Sequence, residues 1–261
     1  MKQNVFTIKE SATMYGLVVV LFYLSSYFFQ SRFGLLGIPL GQFFGLLLPT
    51  ILAVIVLGKN PKQVFFLNGN VPIRQYVIGL GLWILALVIS GIYVTYFSGY
   101  LPEETELFEA FDYIFSTVSL TNQLIMIVVI PAIVEELLFR GLFLSSFLRN
   151  TNPFTAIALT SFMFAAMHFS LVKLFTTFIL GCAFGIMVYR TKSIYPAIFL
   201  HFVNNAISVL GINVLQGIDV DPMISLQVNT LVFPSIVLIG TLVSLRKQNQ
   251  TKRSGRHKNE K

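Results

Sequence analysis

The side chains in this sequence that are best suited to chemistry lie in apolar surroundings. Ionisable groups in apolar membrane segments cost several kcal/mol, and their presence there usually marks function. Carboxylate and imidazole groups together can move protons to and from a bound water, which is the basis of general acid–base catalysis. The residues concerned are two adjacent acids and two of the three histidines: Glu135, Glu136, His168 and His201.

Helical spacing separates the two acids. Glu136 and Arg140 are four residues apart, in the acid-before-base order that favours a pair on one helix face. We expect this pair to neutralise itself and to be structural. Glu135 points about 100° away from Glu136 on the same helix and has no obvious partner there. The sequence therefore predicts that Glu135 is the general base.

The same four-residue spacing occurs twice more. Phe164 and His168 share a helix face, which places the imidazole beside an aromatic wall, and His201 shares a face with Asn205. Each histidine alone could be an interhelical hydrogen-bonding residue. Taken together, Glu135 and these polar residues predict one shared active site.

The depth of these residues can be compared along the predicted helices. Glu135 and His168 lie on either side of a turn at 150–152, each roughly 21–24 Å from it at 1.5 Å per residue. They should therefore lie at the same level. His201 is roughly 10 Å from its nearest loop on an untilted helix. Its depth relative to Glu135 is open at this stage.

The elements that position these residues are membrane helices. The chain of 261 residues is 55% hydrophobic and 11% charged, whereas a soluble domain carries about 25% charged residues. A span needs about 20 mostly apolar residues. The sequence predicts an all-α polytopic membrane helical bundle of about eight transmembrane helices, and the apolar runs are 11–29, 34–57, 76–98, 121–148, 153–170, 172–189, 195–214 and 226–245.

Charge sets the expected topology. Positive residues concentrate on alternate loops and in the tail, which predicts that both termini are cytoplasmic. The net charge of +7 is explained by lipid contact rather than by nucleic acid. We expect one structural domain, with 1–119 holding three helices and an interfacial segment at 100–119, 120–214 the catalytic helices, and 215–261 the last helix and basic tail. Gly181 and Gly185 predict close helix packing.

Three motifs in these spans resemble those of the CPBP family, the CAAX-protease and bacteriocin-processing (Abi-type) membrane proteases. They are Glu135-Glu136-x-x-x-Arg140, Phe164-x-x-x-His168 and His201-x-x-x-Asn205. The resemblance covers about residues 120–210. It implies an eight-helix intramembrane endopeptidase in which Glu135 and His168 activate a water. It further implies that His201 and Asn205 stabilise the oxyanion of the tetrahedral intermediate.

Metal use is left open by the residues. Glu135, His168 and His201 could supply three ligands to a divalent metal such as zinc, with water in the fourth position. Glu135 would then no longer be free as a base, and the His-Glu-x-x-His helix of zinc proteases is absent from the sequence. We favour water activation without a metal.

The resemblance allows several substrates, all membrane-associated: prenylated C-terminal motifs, secreted peptide precursors and bacteriocin-related peptides. Compact loops favour a bacterial plasma membrane. Two other functions are compatible with buried Glu and His residues. One is a proton-coupled transporter, although no repeated half is evident, and the other is a non-catalytic immunity or interaction protein. The oligomeric state is not indicated.

Overall fold

The chain is a helical membrane bundle. A computed structural model describes residues 4–97, 113 and 116–215, and within these ranges there are helices and no strands. The predicted span 226–245, the basic tail and most of the segment 100–119 lie outside the described residues. The helices are α1 (Ile8–Phe33), α2 (37–56), α3 (Pro61–Val64), α4 (Ile73–Phe97), α5 (120–150), α6 (Pro153–Ala166), α7 (Leu171–Thr191) and α8 (Tyr195–Leu215).

Four stretches of the described chain are long and apolar enough to cross a membrane: Ile8–Val56, Ile73–Val94, Lys173–Thr191 and Tyr195–Asn213. The first of these contains both α1 and α2. Each of the first seven predicted apolar runs corresponds to a helix of the structure. The total of eight spans stays a prediction.

Close backbone contact makes α1 and α2 a hairpin. Gly34 ends α1 with a φ of +56°, a conformation that glycine adopts without strain. Beyond it, a Cβ on Gly37 would lie 2.3 Å from the backbone nitrogen of Gln30. A Cβ on Gly45 would lie 2.5 Å from the Cα of Phe22. These glycines therefore allow the two helices to pack with their backbones nearly touching.

Helix α5 is irregular where it carries the two acids. Wider π-helical turns at Leu124–Val129 and Leu137–Phe143 enclose a regular segment, Ile130–Glu136. Pro131 near the start of that segment has no N–H to give to the preceding turn. Such π turns re-aim side chains and occur often at functional sites. Glu135 and Glu136 are the last two residues of the regular segment.

Helices α6 and α7 form the next hairpin. Asn152 caps α6, its side chain accepting a hydrogen bond from the Thr155 N–H at 2.9 Å. The helix ends at Ala166, earlier than the predicted run 153–170, and α7 begins at Leu171. The predicted break near residue 170 is confirmed, and His168 lies in the connecting turn rather than in a helix.

The predicted packing role of the glycines in α7 is also confirmed. A Cβ on Gly181 would lie 3.0 Å from the Cβ of Ser161, and one on Gly185 would lie 3.1 Å from a methyl group of Ile157. Both neighbours belong to α6. The absence of a side chain at these two positions thus sets the approach of α7 to α6.

Candidate active site

Glu136 and Arg140 form the most deeply buried part of the site. Both side chains have no solvent exposure, and Nη1 of Arg140 lies 3.2 Å from Oε1 of Glu136. The guanidinium carbon is 4.4 Å from the ring centre of Phe164 and 5.6 Å from that of Phe184. The aromatic faces add cation–π attraction to a charge that has left water. The structure therefore contains the ion pair expected from the helical spacing.

Glu136 also holds His201 in place. Its Oε1 lies 2.9 Å from His201 Nδ1, and because a carboxylate paired with arginine accepts hydrogen bonds, Nδ1 is the protonated ring nitrogen. The imidazole stacks on Phe184 with ring centres 5.5 Å apart. These contacts fix the tautomer and the plane of a ring that is 4% exposed. They also settle the depth of His201, which lies at the level of the two acids.

The other ring nitrogen of His201 faces Glu135. The Nε2 atom is 3.8 Å from Oε2 of Glu135, too far for a direct hydrogen bond. The Glu135 side chain is 15% exposed, in contrast to the sealed Glu136. At this separation one water or one carbonyl oxygen can contact both groups. A single small molecule can therefore contact Glu135 and His201 at the same time.

The charged groups of the site do not balance. Two carboxylates and one guanidinium carry a net negative charge, which is costly in a medium of low dielectric constant. One additional proton on either Glu135 or His201 removes that charge. If that proton is on His201, Glu135 is a base and Nε2–H is a donor.

His168 lies on the exposed side of the site. Its Nδ1 is 3.0 Å from the carbonyl oxygen of Phe164, and a carbonyl can only accept, so Nδ1 carries the hydrogen and Nε2 is left as an acceptor. The imidazole meets the Phe164 ring edge-on at 5.0 Å, and His201 meets the same ring at 5.9 Å. Phe164 is thus the aromatic wall between the two histidines.

The relative depth of Glu135 and His168 follows from another ring contact. Phe139, one turn after Glu135, lies 5.2 Å from Phe164, one turn before His168. Because α5 and α6 run antiparallel, Glu135 on α5 and His168 in the turn after α6 lie on the same side of this contact.

Asn205 belongs to a hydrogen-bonded chain that joins α4, α8 and α5. Its Nδ2 donates to the carbonyl oxygen of Ile127 at 3.0 Å, and the residue four positions after Ile127 is Pro131, which has no N–H to offer. Asn204 donates to Oδ1 of Asn205 at 3.1 Å. The indole N–H of Trp83 donates to Oδ1 of Asn204 at 3.1 Å.

The direction of this chain is fixed at both ends, because an indole only donates and a backbone carbonyl only accepts. Asn205 retains a second amide hydrogen for another partner. Trp83 and Asn204 were not among the residues predicted for the site. Asn204 was visible as a polar residue in an apolar span, but no signal in the sequence joins it to Trp83 on a distant helix.

Metal binding finds no support in the side-chain arrangement. Across residues 4–97, 113 and 116–215, no group of three or more His, Cys, Asp or Glu side chains is placed to hold a metal ion. The candidate ligands Glu135, His168 and His201 do not converge into such a group. One of the two ring nitrogens of His201 is already occupied by Glu136.

Comparison with known proteins identifies the segment that holds the site. Residues 117–207 match the family described as type II CAAX prenyl endopeptidase Rce1-like. The chain is also 27% identical over 168 residues to a Bacillus subtilis (strain 168) protein named "Putative membrane peptidase YdiL". That match covers 61% of this chain and 66% of the relative, slightly less than two thirds of its length. The family resemblance predicted from the three motifs is confirmed by these matches.

Proposed function

We propose that this chain, whose residues 117–207 match the family described as type II CAAX prenyl endopeptidase Rce1-like, is a membrane-embedded endopeptidase. It hydrolyses a peptide bond with a water activated by side chains rather than by a metal. The observation that carries the proposal is the pairing of Glu135 with Nε2 of His201 across 3.8 Å. A partly buried acid and a ring whose orientation is fixed by Glu136 lie across a separation that one water can bridge.

The reaction begins with the proton on His201 and the negative charge on Glu135. Glu135 takes a proton from water as the water oxygen attacks the scissile carbonyl carbon, so that a C–O bond forms and the carbonyl becomes an oxyanion. Glu135 then gives its proton to the departing amide nitrogen as the C–N bond breaks. The products are a carboxylic acid and an amine, and Glu135 returns to its starting charge.

Three further groups assist this sequence in the proposal. Nε2–H of His201 and the second amide hydrogen of Asn205 donate to the developing oxyanion, which is the role that the family resemblance implies. His168 presents Nε2 as an acceptor from the exposed side and orients the attacking water with Glu135. Arg140 does not contact the reactants. It pairs with Glu136, which accepts from His201 Nδ1.

The substrate in this proposal is a membrane-associated peptide or protein, either prenylated at its C-terminus or a peptide precursor, including bacteriocin-related peptides. A membrane-bound enzyme of this kind acts at the bilayer surface, and we place it in a bacterial plasma membrane with both termini in the cytoplasm. An experiment can distinguish prenylated from unprenylated substrates. A farnesylated peptide ending in a CAAX sequence and the same peptide without the farnesyl group should be cleaved at different rates if prenylation is recognised.

The decisive test replaces Glu135 by glutamine, which keeps the shape and removes the base. In membranes of cells that express Glu135→Gln, peptide products that accumulate with the unmodified protein should disappear, with a loss on the order of 100-fold or more. Glu10→Gln is the matched control, because Glu10 pairs with Lys59 outside the site. Cleavage by Glu135→Gln at the rate of the control would refute the assignment.

Metal independence needs a separate measurement. Purified active protein should contain far less than one equivalent of zinc and should keep its activity after dialysis against a chelator. Stoichiometric metal together with loss of activity on chelation would overturn the metal-free mechanism. It would leave the endopeptidase proposal in place, since Glu135 would then be a ligand rather than the base.

A further inference from the structure

Helix α1, which lies outside the matched residues 117–207, reaches the turn that carries His168. The hydroxyl of Tyr23 donates to the carbonyl oxygen of Met167 at 2.7 Å. The Tyr23 ring also meets the ring of Phe169 edge-on, with centres 4.8 Å apart. One α1 side chain therefore contacts both sequence neighbours of His168.

The turn departs from the regular helix that precedes it. Helix α6 has already ended at Ala166, and the backbone N–H groups of His168 and Phe169 bond to carbonyls three residues back, as in the tighter 3₁₀ turn. Phe169 has a φ of +45°, a left-handed conformation that a bulky residue rarely adopts. Such a conformation persists where the surroundings hold it. The Tyr23 contacts are placed to do this.

We propose that Tyr23 is a positioning residue for His168. The inference rests on the proposed function for its catalytic consequence, although the geometric part stands without it. By fixing the Met167 carbonyl and the Phe169 ring, Tyr23 sets the direction of the backbone at the residue between them. It thereby fixes the position from which the His168 side chain leaves the backbone. Because catalytic groups must be held closely in a productive geometry, loss of this hold lowers the rate of the chemical step.

The chain supplies a matched control on the same two helices. Tyr15 of α1 donates through its hydroxyl to the carbonyl oxygen of Met163, at 3.0 Å and one turn before Met167. Tyr15→Phe and Tyr23→Phe each remove one hydroxyl and one α1–α6 hydrogen bond. The two substitutions should lower the thermal unfolding temperature to a similar extent. They differ in whether the lost bond flanks His168.

Two measurements test the proposal. The substrate is a peptide that the unmodified protein cleaves. Tyr23→Phe should lower kcat on the order of 10-fold at unchanged KM, whereas the kcat of Tyr15→Phe should stay within about 2-fold of that of the unmodified protein. Hydrogen–deuterium exchange provides a readout that is independent of activity. The amides of His168 and Phe169 should exchange faster in Tyr23→Phe and at the unmodified rate in Tyr15→Phe.

The outcomes separate this inference from the proposed function. Equal losses of kcat in both variants, or unchanged exchange at His168 and Phe169 in Tyr23→Phe, would show that Tyr23 is a structural residue and would overturn the inference. If the unmodified protein cleaves no peptide but the exchange difference is found, the proposed function fails and the positioning of the turn by Tyr23 stands.

Discussion

At the scale of single residues, one carboxylate oxygen organises the site. Oε1 of Glu136 lies near both the guanidinium of Arg140 and Nδ1 of His201. Helical spacing was sufficient to predict the first partner, because residues four apart on one helix meet regardless of the rest of the fold. It could not predict the second, since the rotation of α8 about its axis depends on packing against several helices. The sequence therefore indicated a structural pair where the structure has a pair that also orients a histidine.

Because Glu136 contacts both groups, we expect substitution by glutamine to lower stability at Glu136 much more than at Glu135. Glu136→Gln leaves Arg140 buried without its counter-charge, which costs about 3–5 kcal/mol. The thermal unfolding temperature in detergent should fall markedly, whereas Glu135→Gln should unfold close to the unmodified protein. The double variant Glu136→Gln with Arg140→Met should recover part of the stability, because both charges are removed. Equal unfolding temperatures for the two single variants would contradict the geometry described for Glu136.

At the scale of elements, the site depends on α5, which has π-helical turns on both sides of the segment that carries the two acids. Pro131 removes a donor from the turn that precedes the acids, and Asn205 of α8 supplies one to the Ile127 carbonyl. Proline near the acids was recognisable in the sequence as a source of distortion. The compensating donor was recognisable as a polar residue, but the bond between them was not, because it joins positions 78 residues apart.

The hydrogen-bonded chain from α4 to α5 can be tested at its outer end. Trp83→Phe removes the indole N–H and keeps an aromatic ring at a position that is 5% exposed. Asn204 then loses its partner, and the free energy of unfolding should fall by about 1–3 kcal/mol, part of it from the smaller ring. The amide of Asn205 becomes less firmly oriented, so kcat should also fall. An intact kcat with reduced stability would show that the chain is structural alone.

At the scale of the whole molecule, hydropathy located the described helices well and their ends less well. The apolar run 153–170 continues past the end of α6 because Met167 and Phe169 are apolar, although the backbone has already turned there. Hydropathy reports how favourably side chains transfer out of water, and it contains no information on the direction of the backbone. The residues Glu135, His168 and His201 were identifiable because charge and polarity stand out in apolar runs of the sequence. The supporting contacts from α1 and α4 were not, because Tyr23 and Trp83 are ordinary residues of membrane helices.

The assembly of the bundle should be most sensitive where backbones touch. Gly45→Ala would place a methyl carbon 2.5 Å from the Cα of Phe22, a backbone atom that cannot move without separating α1 from α2. We expect a loss of about 1–3 kcal/mol in the free energy of unfolding. Gly16→Ala in α1 is the matched control, because nothing lies within 4 Å of the added carbon and alanine favours a helix. A comparison of thermal unfolding for the two variants in the same detergent separates the effect of the steric clash at Gly45 from the general effect of replacing glycine by alanine in a helix. Since α1 also carries Tyr23, Gly45→Ala should lower activity together with stability, and a variant as stable as Gly16→Ala would contradict the close approach of these helices.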